Sequence, residues 1–197
     1  MVAFEPSAGA GFGMDVAPEL SKIQRFEAEA LPHMGDIFRT ATRLVGDRAR
    51  AEDVAQDVFL QAWKSFNRFE QGTNCRAWLF KILFHCTQHH RRKWFRFPSL
   101  TEPEEFIEAN LAEVPAVPEH LTDEEILEAL DRIPVDFRAV ILLVDVQEFS
   151  YKEAAGIMSV PEGTVMSRLS RGRKLLREQL GDVARSYGII RPKREGQ

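Results

Sequence analysis

Helix-start signals recur along this sequence from Asp47 to Ser150 and leave little room for any other secondary structure. Thr122-Asp-Glu-Glu125 and Ser150-Tyr-Lys-Glu153 both read as capping boxes, in which a hydroxyl and a glutamate each satisfy an orphan backbone donor of the first helical turn. Asp47 is placed to cap a helix over about 48–67, and Asn74 a second over about 75–95. Phe38, Ala41, Thr42 and Val45 keep helical spacing before Gly46. Pro134 and Pro161 stand where first helical turns begin. Only Val140–Val146 has the apolar run of a strand, and Arg138 and Gln147 at its ends favour a short buried helix. The expected fold is all-α.

Charge divides the chain. The net charge of -4 over 197 residues argues by itself against a nucleic-acid partner, but its distribution reverses that argument. From Gln71 to Thr101 there is no Asp or Glu, while Arg76, Lys81, Arg91, Arg92, Lys93 and Arg96 are basic. From Glu102 to Asp131 there are eleven acids and no Lys or Arg, and from Thr164 onward nine Lys or Arg against three acids. Two basic patches separated by an acidic stretch suggest two surfaces for a polyanion. Pro98, Pro103, Pro115 and Pro118 mark 98–120 as a linker. The expected organisation is a disordered tail over 1–18, helical domains over 19–97 and 121–184, and a basic tail over 185–197. No apolar run approaches the ~20 residues of a membrane span, so no membrane insertion is expected. No secretory leader is apparent, and two cysteines are too few for a disulfide scaffold, so a cytoplasmic location is expected.

Helix faces sharpen the picture. On a wheel of 51–66, Ala51, Ala55, Val58, Phe59, Ala62, Trp63 and Phe66 form an apolar stripe. Asp53, Asp57 and Lys64 lie opposite, with Leu60 among them and Gln56 at the edge. This is either a solvated face with one stray leucine or a small docking site, apolar at its centre and acidic at its rim. In 75–93, Cys75, Trp78, Leu79, Ile82, Leu83 and Cys86 form the core stripe. Lys81, His85, Gln88 and Arg92 oppose it, flanked by Phe80 and Phe84. These aromatics either stack unpaired bases beside a basic groove or pack against another helix. Cys86, His89 and His90 invite a metal reading, but a small buried thiol beside solvated histidines is the simpler one. Eleven helical residues separate Cys75 from Cys86 by ~16 Å, too far for a disulfide.

The segment 150–180 carries the strongest local pattern. A short helix over Tyr151–Met158, capped by Ser150, meets a tight connection, Val160-Pro161-Glu162-Gly163, and then a helix over Thr164–Leu180. Val165, Leu169, Leu176 and Leu180 form its inner face. Thr164, Ser167, Ser170, Arg171 and Lys174 form its outer face, with Arg168 at the edge, and Ala154-Ala155 permit close approach. This is a helix-turn-helix whose second helix suits a major groove; the alternative is an αα-corner with a basic outer face. No Gly-rich phosphate loop, nucleophile elbow or HExxH occurs. No enzyme activity, cofactor or metal is expected.

These stretches resemble a known family. Gly46–Phe69 resembles the core-binding helix of bacterial RNA polymerase sigma factors. Asn74–Lys93 is similar to their promoter-melting segment, and Ser150–Leu176 to the −35-reading module of the extracytoplasmic-function (ECF) subgroup. The resemblance implies a non-enzymatic initiation factor with core RNA polymerase and promoter DNA as partners, and leaves an anti-sigma factor open as a third. It implies that Asp53, Gln56, Asp57, Phe59 and Leu60 grip the polymerase clamp. It implies that the loop Phe69–Cys75, with Phe69 and Asn74, and the adjoining Arg76, Phe80, Lys81, His85, Arg91 and Arg92 meet the −10 element. Ser150, Tyr151, Gly163, Thr164, Ser167, Arg168, Ser170, Arg171 and Lys174 would then meet the −35 element. His85 stands where relatives often carry Asn, and Met166 where they often carry Arg. The acidic linker would run through a positively charged polymerase channel. A stand-alone helix-turn-helix regulator and a zinc hydrolase built on Cys86, His89 and His90 are the rival readings.

Overall fold

The computed structural model describes residues 16–94 and 122–186, and the described residues are helical without a strand. The expected linker and most of both tails lie outside them; Val16–Pro18, expected to be disordered, begin a helix instead. The first half comprises α1 (Val16–Ala30), α2 (Met34–Val45), α3 (Arg48–Ser65) and α4 (Cys75–Trp94). The second comprises α5 (Asp123–Asp131), α6 (Val135–Ile141), α7 (Tyr151–Met158) and α8 (Glu162–Ser186).

The expected caps form. Asp47 accepts from the Arg50 amide at 2.8 Å, and Asn74 Oδ1 from the Ala77 amide at 3.0 Å. Thr122 and Ser150 both make complete capping boxes. At Gly46 the chain takes φ 74, a conformation that costs glycine little, and turns α2 into α3. The α2–α3–α4 core is built from Ile37, Ala41 and Leu44, from Ala51, Val54 and Val58, and from Leu79 and Leu83. Phe66 stands at the centre of an aromatic cluster with Phe26, Phe69 and Trp78, at ring separations of 5.1, 5.8 and 6.3 Å.

The run Val140–Val146 is neither a strand nor a plain helix. α6 ends at Ile141 and passes into a π-helical turn over Leu142–Val146, closed by the Gln147 amide on the Leu142 carbonyl at 2.9 Å. Such a turn accommodates an extra residue and re-aims the chain beyond it. Here Gln147 turns inward, Glu148 takes φ 55, and Phe149 is buried.

The halves pack against each other. Phe80 of α4 meets Phe149 edge-on, 5.0 Å between ring centroids. The Arg76 guanidinium lies 4.4 Å from the Phe149 ring and donates to the Gln147 carbonyl at 2.8 Å and to its side-chain oxygen. Arg138 of α6 donates to the Arg43 carbonyl at 2.7 Å, and Arg43 pairs with Asp131 at 2.9 Å. Burial pulls Arg138 below the ordinary guanidinium range, while Asp131 opposes that shift.

Candidate functional site

The α3 face is as the wheel places it, with one addition. Ala51, Val54, Val58, Ala62 and Phe66 are buried, and Ala55, Phe59 and Trp63 are half-buried; Val54 widens the expected stripe. Asp53, Gln56 and Asp57 are exposed, and Leu60 keeps 50% of its surface open among them. Phe59 packs against the core and can serve such a face only from beneath. An exposed leucine on a face that also carries two carboxylates suits a docking contact with an apolar centre and a basic partner rim.

The α4 face departs from expectation at its aromatics. Lys81, His85 and Gln88 are exposed. Phe80 is fully buried against Phe149, and Phe84 is 7% exposed, so of the two readings the helix-packing one holds. Neither ring can stack a base in this arrangement. Phe69 is also withdrawn, 7% exposed and tilted against Trp78 at 4.8 Å. The reason is common to all three: an aromatic gains more from a closed aromatic core than from a wet groove. Asn74 caps α4 with its oxygen while its amide donates to Glu153 at 2.9 Å across the two halves. Arg76 is half-buried on Gln147 and Arg91 is half-buried, while the Arg92 side chain lies outside the described part of the molecule. Lys81 and His85, with Trp78, Phe84 and Gln88 of α4, line a cleft whose opposite wall is Ile157, Met158 and Ser159.

The histidines also depart from expectation. His89 is exposed, but His90 is 8% exposed, and its Nε2 lies 2.6 Å from Asp57 Oδ2. Among the described residues no cluster of three or more metal-ligating side chains occurs. Burial, with a smaller push from the Asp57 charge, raises the Cys86 thiol to about 11; burial and Glu29 do the same for Cys75. Both sulfurs are therefore poor nucleophiles at neutral pH.

In the second half α7 and α8 form the expected helix-turn-helix. The Ser159 backbone, at φ 57, ends α7. α8 begins at Glu162 rather than Thr164, because Pro161 supplies the first-turn carbonyl to the Thr164 and Val165 amides. Glu162 and Gly163 therefore belong to the helix instead of the connection. Val165, Leu169 and Leu180 are buried, Leu176 is half-buried, and Ala154 and Ala155 are covered as expected. Gly163, Ser167 and Ser170 are exposed; Thr164, Arg168, Arg171 and Lys174 are half-buried. Met166 is 50% exposed on the same helix. At the head of α7, Ser150 is tied into its cap and Tyr151 is half-buried. The hydrogen bond from the Ser150 hydroxyl, 2.7 Å from Glu153, holds that carboxyl below its usual range.

Sequence reasoning missed two cross-connections. Gln147 was visible only as a polar end to an apolar run, and nothing local tells that it receives Arg76 from 71 residues away. His90 was visible only beside Cys86 and His89, whereas its partner lies on another helix.

These features define a helix-turn-helix protein whose first half carries a separate exposed face with Asp53, Asp57 and Leu60. Residues 31–96 match the family described as Sigma-70 region 2, and residues 123–176 the one described as Sigma-70, region 4. The chain is 35% identical over 149 residues to the ECF RNA polymerase sigma factor EcfG of Rhodopseudomonas palustris, covering 75% of this chain and 81% of that one. It is 30% identical over 181 residues to the ECF RNA polymerase sigma factor SigE of Mycolicibacterium smegmatis, covering 89% and 68%. Among solved structures it resembles the sigma factor RpoE of Bartonella quintana, crystallised in complex with the anti-sigma factor NepR. That likeness has a TM-score of 0.64 and 32% identity, covering 80% of this chain and 97% of that one. The chain belongs to the ECF RNA polymerase sigma factors. Its function is sigma-factor function, the direction of core polymerase to promoters.

Proposed function

We propose that three surfaces divide the work of this sigma factor. The α3 face of Asp53, Gln56, Asp57 and Leu60 docks on the polymerase clamp. Lys81 and His85, with Asn74 and Arg76, meet the −10 element. The outer face of α8, from Gly163 to Lys174, reads the −35 element, its N-terminal residues reaching base edges and its later ones phosphates. The observation that carries this reading is α8 itself: Val165 and Leu169 are buried while Ser167 and Ser170, on the other side, are open. The −10 surface is partly occupied, since Arg76 and Asn74 are engaged by Gln147 and Glu153. Promoter engagement therefore requires the halves to separate, and the packed arrangement is a resting form. The family models cover most of the proposed domains 19–97 and 121–184, and the acidic linker 98–120 joins them. The protein works in the cytoplasm without catalysing a reaction of its own. A protein of the anti-sigma class is a further partner, a reading supported by the RpoE–NepR complex.

Run-off transcription with purified core polymerase on genomic promoter fragments tests this. Promoter-dependent transcripts are expected, and Asp57→Arg should reduce them several-fold or more by reversing charge at a complementary rim. Because it also strips the buried His90 of its carboxylate partner, the exposed Asp53→Arg is the companion variant that should reduce transcription with little change in melting temperature. Tight duplex binding in the absence of polymerase, with no transcript in its presence, would favour a stand-alone regulator.

A further inference from the structure

The α3 docking face is built by two helices. His90 is the residue of α4 that reaches it: Nε2 lies 2.6 Å from Asp57 Oδ2, with the imidazole 10% exposed and the Asp57 side chain 52% exposed. The two groups thus differ in surroundings. The ring is packed under the surface, beside His89 at 6.2 Å and edge-on, while the carboxylate stands at the surface. A single short hydrogen bond to a carboxylate is among the stronger polar contacts and directional. It removes the rotational freedom of an exposed aspartate before any partner arrives, and a group already held in its bound orientation loses less entropy on docking. It also consumes only Oδ2, leaving the other oxygen to the partner. Asp53 shares the face and is exposed, and among the described residues it has no such anchor.

We propose that His90 is a positioning residue for polymerase docking, which fixes the Asp57 carboxylate from the neighbouring helix so that its second oxygen faces the clamp. This rests on the reading of the α3 face as the clamp-binding surface. Its partner group is a cation of the polymerase, an arginine or lysine that a fixed carboxylate can receive. His90 itself lies too deep to touch the polymerase and acts through Asp57.

The test is a double-mutant cycle on the full chain, read as affinity for purified core polymerase by fluorescence anisotropy. His90→Phe keeps a buried ring and removes the donor; His90→Gln keeps a donor at similar reach. Asp57→Ala should weaken binding, and His90→Phe should weaken it roughly tenfold or less, within the range of coupled contact pairs. In the Asp57→Ala background His90→Phe should cost nothing further, and His90→Gln should restore much of the affinity in the parent background. Thermal melts accompany each variant, and if His90→Phe does not fold, His90→Leu, which also lacks the donor, closes the same cycle with Asp57→Ala. Losses that add, or a His90→Phe protein that binds like the parent while Asp57→Ala does not, overturn the positioning role. Unaltered binding by Asp57→Ala instead overturns the docking reading on which it stands.

Discussion

Replacing Gln147 by Arg should open the molecule. Gln147 is 6% exposed and receives Arg76 through both its carbonyl and its side chain. An arginine there removes a hydrogen bond to a charged group, ~1.5–3 kcal/mol. It also sets two guanidinium groups against each other, ~4 kcal/mol at ~4 Å and a near-surface dielectric. The long side chain can swing aside, so about half of that repulsion is a fair expectation. Against it stand the Phe80–Phe149 pair, ~0.5–1.5 kcal/mol, and the Asn74–Glu153 bond, about 1 kcal/mol. The Arg43–Asp131 pair, 30% and 37% exposed, contributes less than ~1 kcal/mol. The bond from Arg138 to the Arg43 carbonyl adds ~1.5–3 kcal/mol, so the perturbation is of the same size as what remains and the packed population should fall. Small-angle X-ray scattering should show a larger radius of gyration for Gln147→Arg, while Gln147→Glu, which gives Arg76 a carboxylate, should stay as compact as the parent. Helix content by circular dichroism should be equal in all three. Equal radii for Gln147→Arg and the parent would refute the idea that this contact holds a packed resting form.

Two further expectations concern the second half. A side chain added at Gly172 would meet Ile141 Cδ1 at 3.0 Å and the Phe137 carbonyl at 3.2 Å. Gly172→Val should therefore cost ~1–3 kcal/mol, a fall of about 2–12 °C in Tm at ~2–4 °C per kcal/mol for a chain of this size; Gly172→Ala should fall less, since alanine recovers ~1 kcal/mol of helix propensity. A Val variant melting with the parent would show that α6 and α8 are not in close contact. For Glu153, the bonds from Ser150 hold the folded carboxyl below its ordinary 4.5. Its contribution is therefore present above that value and lost as pH falls through the folded one. The stability gap between the parent and Glu153→Ala, measured by urea titration, should be constant near neutrality and close in acid; a gap independent of pH would exclude the capping carboxylate as its source.

Features that depend on neighbours along the chain were legible from the amino-acid order alone. Asp47, Asn74, Thr122 and Ser150 cap helices because a side chain needs to reach only two or three residues to find an orphan amide. The helix-turn-helix was legible for the same reason, since its cap, turn and inner face all lie within about one stretch of thirty residues. The exposed α3 face with Leu60 came from helical periodicity alone. Which surface a second element covers was not legible in this way. Phe80 and Phe84 have the same spacing whether they edge a groove or enter a core, and only the packing of α7 and the Phe149 loop on α4 decided it. Phe69 was likewise withdrawn by Phe66 and Trp78. His90, a candidate ligand by its neighbours in sequence, became the partner of Asp57, 33 residues away. Gln147 became the receiver of Arg76 because a π-helical turn re-aimed it. Periodicity tells that a side has a chemistry; burial and partner depend on chain segments far apart in sequence, whose meeting is a property of the folded whole.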